Sequence, residues 1–246
     1  MTDKSLIISP TGCSMFHDSE YEPKEDHWRY TNSSRLYETV VVTFNDFIPE
    51  QNSYDRWEQY PIRHKWKQIP ELLDKLDIKW YNFPYIGIWD DDYCTNWQSI
   101  NRSLELAYQF DFPFFQQSLK SWTVYPCLEN DPSCTFSKTN FTEMGICWYR
   151  TDVFSKALKL LRDYQYNESE WGIDKIMYDY LKLPAYIVHE VSAKHMRKES
   201  WYDKTNAFRE MDYLMKEWFP KYHKEKFGTD YQYNDNQVII EKYKLR

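Results

Sequence analysis

The sequence predicts a single α/β domain built on a mostly parallel central sheet flanked by helices, and three observations support this. Short apolar runs rich in β-branched residues alternate with segments of helical periodicity through the first two thirds of the chain. The 246 residues are enough for one domain with a sizeable core. No internal repeat or low-complexity linker divides them, so we expect one domain over residues 1–246.

Strands and helices alternate regularly in the first half of the chain. Four short runs of apolar, β-branched or aromatic residues predict buried strands at residues 5–10, 39–44, 85–90 and 113–119. A helix is predicted at 70–77, because Pro70 suits a first helical position and the leucines that follow share one face. A second helix is predicted at 97–109 from apolar residues at helical spacing. This β-α-β-α-β order favours parallel strands with helices packed on the sheet.

The second half begins with a predicted irregular loop at 120–140, which is rich in Pro, Asn, Asp and Ser. Apolar spacing and a Thr151 cap predict a helix at 151–164. A second helix is predicted at 173–181 and a strand at 185–191. Residues 200–246 are polar and charged, and predict a C-terminal helical extension with one amphipathic helix and a possible late strand at 238–240.

Composition and charge limit the possible functions. The formal net charge is −7, so a nucleic-acid backbone is not expected as the main partner. No apolar run approaches the roughly 20 residues needed to span a bilayer, and the first one is too short for a signal peptide. Five cysteines, an odd number, favour free thiols and a cytoplasmic location. Aromatic residues make up 19% of the chain, which suits stacking on sugars or bases but could also be a compositional habit.

The most informative segment is the acidic triplet Asp90, Asp91 and Asp92, which directly follows the predicted strand 85–90. In open α/β sheets, ligands bind at the carboxyl ends of the strands. Three adjacent carboxylates repel one another, and a hard divalent cation such as Mn²⁺ or Mg²⁺ would relieve that repulsion and bring phosphate with it. The alternative is a solvated acidic turn.

Three further segments carry candidate chemistry, and each has an ordinary structural alternative. Residues 139–144 present Glu143, or simply begin a strand. Residues 170–174 place Asp174 in the first turn of a helix, where the helix dipole would keep it ionised and burial beside Trp171 would oppose that. Residues 193–198 place His195 in a basic segment after a strand, where it could ligate a metal or lie on the surface.

Together these segments predict one site. Asp90 and Asp92 would hold a metal ion, and His195 would complete its ligand shell. Basic residues, Lys194 with Arg197 and Lys198, would contact a diphosphate. Asp174 would accept a proton from an attacking hydroxyl group. Chemistry of this kind needs mainly placement and electrostatic stabilisation from the protein.

The triplet after an apolar strand resembles the DxD motif of GT-A glycosyltransferases, which bind a nucleotide-sugar through Mn²⁺ or Mg²⁺. The order of the later motifs is similar to that of an uncharacterised GT-A-like family of bacteria and plants, and related domains occur among glycosyltransferases of large algal viruses. The resemblance covers roughly residues 5–200, and the matching segments are Lys65-Trp66-Lys67, Gln116–Leu119, Thr139–Met144, Trp171–Asp174, His189–Val191 and Lys194–Arg197.

The resemblance implies a role for each matching position. A Rossmann-like nucleotide-sugar-binding half (1–110) would be followed by an acceptor-binding and catalytic half (111–200) and the extension 200–246. Asp90 and Asp92 would bind metal and diphosphate, and His195 would be the last metal ligand. Asp174 would be the base of inverting members, although Ile173 replaces a Glu common at that position, so Glu143 is an alternative base. Gln117 replaces a common Pro. The residues implied in nucleotide-sugar binding are Ser9, Pro10, Thr11, Asp46, Lys65, Trp66, Asp90, Asp91, Trp171 and Lys194.

The sequence therefore favours a metal-dependent glycosyltransferase that uses a UDP-sugar as donor, inverts the sugar configuration and transfers to a glycan or another hydroxyl acceptor. A non-catalytic carbohydrate-binding or interaction protein on a degenerate transferase fold is the alternative, since the aromatic content suits it equally well. A metal-dependent phosphoesterase or nuclease is less consistent with the net charge of −7.

Overall fold

The computed structural model describes residues 3–12, 24–61, 65–120, 123, 125–164, 169–196, 203–233 and 236–245. Across these residues, ten strands form one sheet, in the order β10-β7-β9-β6-β8-β4-β1-β2-β3, with β5 paired to β9. The strands are β1 (Ser5–Thr11), β2 (Tyr37–Thr43), β3 (Arg56–Gln59), β4 (Tyr85–Ile88), β5 (Tyr93–Cys94), β6 (Phe114–Leu119), β7 (Phe136–Thr139), β8 (Trp148–Arg150), β9 (Ala185–His195) and β10 (Ile239–Tyr243).

Most strands of this sheet run in one direction. β1 is parallel to both β2 and β4, β2 is parallel to β3, and β6 is parallel to β9. β8 lies antiparallel between β4 and β6, so the two parallel groups keep the same direction. Carboxyl ends of strands from both halves of the chain therefore meet at one edge. The predicted α/β fold with a mostly parallel central sheet flanked by helices is confirmed.

Helices cover both faces of the sheet, which explains why β1 and β4 are buried along their whole length. The helices are α1 (Lys65–Lys75), α2 (Trp97–Phe110), α3 (Thr151–Asp163), α4 (Ile173–Leu181), α5 (Lys204–Tyr213) and α6 (Phe219–Phe227). One apolar cluster joins the sheet to α1, α3, α4 and the start of α6, and a second joins the opposite face to α2. A π-helical turn, Leu214–Trp218, links α5 to α6.

Much of the aromatic content serves the core rather than a ligand. Trp28, Trp89 and Trp148 are each fully buried. The ring centroid of Trp89 lies 5.2 Å from that of Trp28 and 5.7 Å from that of Trp148. The Trp28 indole N–H donates to the Tyr93 carbonyl at 2.8 Å. This cluster fixes the position of the chain where β4 ends.

The helices agree with the sequence predictions, with local differences. α1 begins at Lys65, so Pro70 lies inside the helix and not at its first position. Thr151 is the first residue of α3 and makes no cap; its hydroxyl donates instead to the carbonyl oxygens of Phe83 and Pro84. This contact ties the start of α3 to the residues before β4.

Four short or polar strands differ from the predictions more strongly. β3, β5 and β8 were not predicted, and β7 lies inside the segment predicted as a loop at 120–140. β9 continues to His195, four residues past its predicted end. The longer β9 carries His195 to the site described below.

The C-terminal segment closes one side of the sheet. The predicted late strand is present as β10, which pairs antiparallel with β7. The Asn140 side chain binds the residues just before β10. Its amide oxygen accepts from the Val238 N–H at 2.8 Å, and its amide nitrogen donates to the Asn236 carbonyl at 2.7 Å. Within the described residues, no helix combines the length and apolarity needed to cross a membrane. The proposed division into halves at residues 110 and 200 stays a prediction.

The close packing around Gly87 gives a test of this core. A methyl group at Gly87 would lie 2.9 Å from the Trp89 indole nitrogen and 3.1 Å from Trp148 Cδ2. We expect Gly87→Ala to lower the free energy of unfolding by about 3 kcal/mol, because a full aromatic cluster cannot accept the extra atom. Urea unfolding at equilibrium measures this.

Gly228→Ala is the matched control, because its methyl group meets open space and adds only the strain of φ +73°. We expect that variant to lose about 1 kcal/mol. An equal or smaller loss for Gly87→Ala would contradict the packing described here.

Candidate active site

The acidic triplet forms a fixed corner between β4 and β5. The Trp89 N–H donates to the Ile8 carbonyl at 3.0 Å, and the Asp90 N–H donates to the Gly145 carbonyl at 2.8 Å. Trp89 is fully buried, and β5 begins at Tyr93, immediately after the triplet. The triplet is therefore held by backbone hydrogen bonds on both sides and is not a loose solvated turn.

Each acid of the triplet has a different neighbour. Asp91 accepts a hydrogen bond from the Gly12 N–H at 2.8 Å, which joins the ends of β1 and β4. The Asp92 carboxylate lies 3.2 Å from His195 Nε2. Asp90 lies against Gly145, where a methyl group would come within 2.5 Å of the Asp90 Oδ2 atom. Glycine at 145 therefore leaves the space that the Asp90 carboxylate occupies.

His195 reaches the triplet through the β5–β9 pair, in which Tyr93 is opposite His195. The two rings stack with centroids 4.6 Å apart and planes 9° apart. The Met196 N–H donates to the Asp92 carbonyl at 2.8 Å, which closes the corner. Burial lowers the pKa of His195, but the hydrogen bond to Asp92 and the charges of Asp92, Glu143 and Asp90 outweigh it, so the pKa is raised.

Glu143 adds a further carboxyl group to this cluster. Its backbone N–H donates to the Gln116 side-chain oxygen at 2.5 Å, and Gln116 is fully buried in β6. Its Oε2 atom is buried and has no hydrogen-bond partner within the described part of the chain. Burial raises the pKa of Glu143, as do the charges of Asp90 and Asp92, whereas His195 and the Tyr93 hydroxyl lower it.

The Tyr93 hydroxyl is the hydrogen-bond donor to Glu143, and it keeps its own proton. Burial, followed by the negative charges of Glu143, Asp90 and Asp92, raises the pKa of the Tyr93 hydroxyl well above its usual value. The hydroxyl therefore stays protonated at neutral pH. One aromatic side chain thus stacks on His195 and hydrogen-bonds to Glu143.

Asp174 lies in the first turn of α4, two residues after Gly172. Gly172 has φ +92°, and any side chain there would collide with Met211 in α5. The pKa of Asp174 is raised to about 7, first by burial and then by the charge of Glu143; the Lys175 N–H and charge oppose this. Burial therefore outweighs the helix N-terminus, although the Asp174 side chain remains half-buried.

The residues predicted to bind the nucleotide lie at the same edge of the sheet. Ser9, Pro10 and Thr11 form the buried carboxyl end of β1, where the Ser9 and Thr11 hydroxyls are 3.1 Å apart. The buried Arg29 guanidinium donates to the Thr11 hydroxyl at 3.3 Å. Asp46 is exposed in the turn after β2. These positions follow from parallel strands ending together.

The remaining predicted residues are more scattered. Trp66 is 2% exposed and packs in the core, so the structure gives no support for its side chain as a ligand contact. Its N–H donates to the Glu170 carboxylate. Trp171 is half-buried and packs edge-to-face against Phe208. Lys194 lies next to His195 on β9. The side chain of Lys65, and residues Arg197 and Lys198, lie outside the described residues.

Two residues of the site, Tyr93 and Gly145, were not found by sequence reasoning, and Gln116 was named only within the matching segment Gln116–Leu119, without a role. Gln116 had a usable signal, because three consecutive polar residues, Gln116 to Ser118, interrupt a predicted buried strand, and such a conflict with the local pattern can mark function. Gly145 is one of only five glycines in the chain. Tyr93 carries no local signal, since its role depends on the distant His195 and Glu143.

Among the described residues, no group of three or more His, Cys, Asp or Glu side chains stands ready to hold a metal ion. Asp92 and His195 are in contact, and the charges of Asp90 and Glu143 raise the pKa of His195. The site thus combines four acidic groups, one imidazole and one phenol, drawn from four separated segments of the chain.

No protein-family model matches this chain, and no curated protein does. Among solved structures, it is similar to S. aureus TarS 1–349 in complex with UDP-GlcNAc, with TM-score 0.52 and 12% identity over 86% of this chain and 65% of that one. A second structure of TarS 1–349 has TM-score 0.50 and 12% identity, over 90% of this chain and 72% of that one. At this identity the likeness shows a shared fold, and it confirms the GT-A-like fold class.

Proposed function

We propose that this protein is a glycosyltransferase that transfers a sugar from a nucleotide-sugar, a UDP-sugar, to a hydroxyl group of a glycan or other acceptor. The observation that carries the proposal is the cluster of Asp90, Asp92, Glu143, Asp174 and His195 at the carboxyl edge of the sheet. The fold supports it, since a protein of the same fold, TarS, forms a complex with UDP-GlcNAc. The four free thiols among the described cysteines accord with a cytoplasmic location.

We propose that the site uses Mn²⁺ or Mg²⁺, held by Asp90, Asp92 and His195. The donor set fits, because carboxylate oxygens and an imidazole nitrogen suit Mn²⁺. Neighbouring ligands of an octahedral ion lie about 3 Å apart for bonds of about 2.1 Å, and Asp92 Oδ2 lies 3.2 Å from His195 Nε2. The ion would neutralise charge on the departing diphosphate and reduce repulsion among the carboxylates.

The donor would lie along the carboxyl ends of β1, β2 and β4. We propose that Ser9, Pro10, Thr11 and Asp46 contact the nucleoside, because they lie at the carboxyl end of β1 and just after β2. Asp91 joins the β1 and β4 ends through Gly12. Lys65, Trp171 and Lys194 remain proposed donor contacts, and Trp66 is removed from the set because its side chain is buried in the core.

We propose Asp174 as the general base. Its pKa of about 7 leaves a substantial ionised fraction at neutral pH while keeping it basic enough to take a proton. The acceptor oxygen would form a bond to the anomeric carbon as the carbon–oxygen bond to the diphosphate breaks. The acceptor proton passes to Asp174, and the bonding electron pair leaves with the nucleoside diphosphate. A single displacement of this kind inverts the configuration of the sugar.

Glu143 is the second candidate base, because its pKa is also raised and one oxygen is buried without a described partner. It acts on the triplet and His195 through charge, and both it and Asp174 are half-buried. We place Asp174 first because its pKa of about 7 suits a base at neutral pH, and we give Glu143 the role of a group that positions the triplet.

Donor binding is the first test. We expect UDP-GlcNAc with Mn²⁺ to raise the melting temperature of the wild-type protein by about 5–10 °C at a hundredfold excess over Kd, since binding contributes about 2.7 kcal/mol. Asp92→Asn should abolish the rise, because it removes a charge from the proposed metal site. Asp212→Asn, an exposed acid paired with Lys216, is the control and should keep it. No shift in the wild type at millimolar ligand would sink the proposal.

Release of UDP from the donor, with water as acceptor, tests the base. Asp174→Asn should reduce the rate about 10²–10⁴-fold while leaving the thermal shift intact. The wild-type rate should increase as pH rises through about 7, because Asp174 must be ionised to act; Glu143, Lys175 and Tyr149 are the titratable groups coupled to it. If Glu143→Gln alone removes the rate and its pH dependence, Glu143 is the base.

A base with a raised pKa also costs stability, which gives an independent test. Folding raises the pKa of Asp174 from 3.8 to about 7, so its contribution is present below pH 3.8 and is lost as pH rises through 7. Asp174→Asn should therefore be more stable than the wild type at pH 8, by about 1–4 kcal/mol at about 1.4 kcal/mol per pKa unit. At pH 4 the two should be equal.

Urea unfolding of both proteins at the two pH values measures the difference, with Asp212→Asn as a surface control that should show no such pH dependence. A variant equally destabilised at both pH values would mean that Asp174 serves the fold through contacts and not through its charge.

A further inference from the structure

A groove of about 870 Å³ lies outside the acid cluster, between the start of α2, the end of β9 and the residues after β10. Its volume falls within the range of small-molecule and oligosaccharide pockets. None of the residues proposed as base or metal ligand lines it, although Lys194 does. The groove is therefore a second concave surface, which shares only Lys194 with the proposed donor site.

The groove is cationic in a chain that carries a net charge of −7. Four cationic side chains line it, Arg102, Lys120, Lys194 and Lys244, against one carboxylate, Glu190. Burial lowers the pKa of His189, which also lines it, to about 4, so this imidazole is neutral at pH 7. A local excess of positive charge inside an acidic protein favours an anionic ligand.

The cations differ in how far their charge is already compensated. Arg102 makes a two-bond pair with Glu190, at 2.8 and 3.2 Å, and a third contact with Glu105. No described carboxylate pairs with Lys120 or Lys244; the Lys244 amine donates only to the Pro132 carbonyl, at 3.3 Å. Lys120 and Lys244 therefore supply charge that a ligand could meet.

The rest of the lining mixes polar and apolar residues and lacks Trp, Tyr and Phe rings. Asn96, Ser99, Asn130 and Thr135 offer amides and hydroxyls, and no Trp, Tyr or Phe is among the described lining residues. Without aromatic faces, a ligand here would be held by charge and hydrogen bonds and not by stacking of bases or sugar rings. Amides, hydroxyls and amines suit a polar chain that carries hydroxyl groups and acidic groups.

The groove adjoins the acid cluster across the β5–β9 pair. Cys94 and Lys194 line the groove, and the paired residues next to them, Tyr93 and His195, face the cluster. Alternation along a strand places these neighbours on opposite faces. The groove and the cluster therefore lie on opposite faces of one two-stranded pair, one residue apart along each strand.

We propose that this groove holds an acidic saccharide chain, bearing carboxylate or phosphate groups, as the part of the acceptor beyond the reacting sugar. This inference rests on the proposed transferase function, which supplies the need for a hydroxyl-bearing acceptor. Lys120 and Lys244 bind the acidic groups, and the surrounding amides and hydroxyls bind the sugar hydroxyls.

Calorimetric titration of the full chain tests the groove with three probes of equal length: hexagalacturonate for carboxylates, phosphorylated maltohexaose for phosphates, and neutral maltohexaose. We expect at least one acidic probe to bind tenfold or more tightly than the neutral one, with an affinity that falls as salt screens the charges. The double variant Lys120→Ala with Lys244→Ala should weaken that binding at least tenfold.

A matched double variant, Lys156→Ala with Lys216→Ala, removes the same charge from exposed helical positions and should bind as the wild type does. The thermal shift with UDP-GlcNAc and Mn²⁺, measured on every variant, should be unchanged, which separates the groove from the donor site. Equal binding of acidic and neutral probes, or equal loss in both double variants, would overturn the inference. If the melting temperature of the wild type does not rise with UDP-GlcNAc and Mn²⁺ while the acidic probes still bind, the proposed function fails and the groove remains a binding site for acidic chains.

Discussion

The repulsion among four carboxyl groups is the constraint around which this site is arranged. Asp90, Asp92, Glu143 and Asp174 interact through their charges, and burial raises the pKa of Glu143 and Asp174. The fold holds them together through backbone hydrogen bonds and close packing. Backbone hydrogen bonds from Trp89 and Asp90 fix the corner, and Gly145 leaves room for the Asp90 carboxylate. His195 and the Tyr93 hydroxyl oppose the effect of burial, since both lower the pKa of Glu143.

This arrangement separates two tasks among chemically similar side chains. Asp92 stays beside a partner that stabilises its charge, whereas Asp174 lies where burial and Glu143 disfavour its charge. Carboxyl groups with opposite environments can act as an ionic anchor and as a proton acceptor at the same pH. The difference arises from which element carries each residue: the corner after β4 for Asp92, and the first turn of α4 for Asp174.

The sequence predicted the central strands and the long helices because their apolar patterns are strong. β1, β2, β4 and β6 are apolar runs, and α4 follows its predicted bounds of 173–181. β3 and β8 were missed, since Arg56–Gln59 is polar at the edge and Trp148–Arg150 is only three residues long. In the site, strand ends placed the triplet correctly at the sheet edge. The contacts of Tyr93 and Gln116 could not be predicted, because their partners lie far away in the chain. For Asp174, burial and the helix N-terminus act in opposite directions on the pKa, and only the packing around α4 shows that burial prevails.

The two outermost strands determine how this sheet meets other molecules. β3 exposes Arg56 and Gln59, and β10 exposes Glu241 and Lys242. A strand from another copy could extend the sheet at either border only by bringing these ionic and amide groups into a new ladder, which disfavours edge-to-edge aggregation. The polar composition of β3, which is why the sequence did not predict this strand, thus disfavours self-association of the folded protein through its sheet.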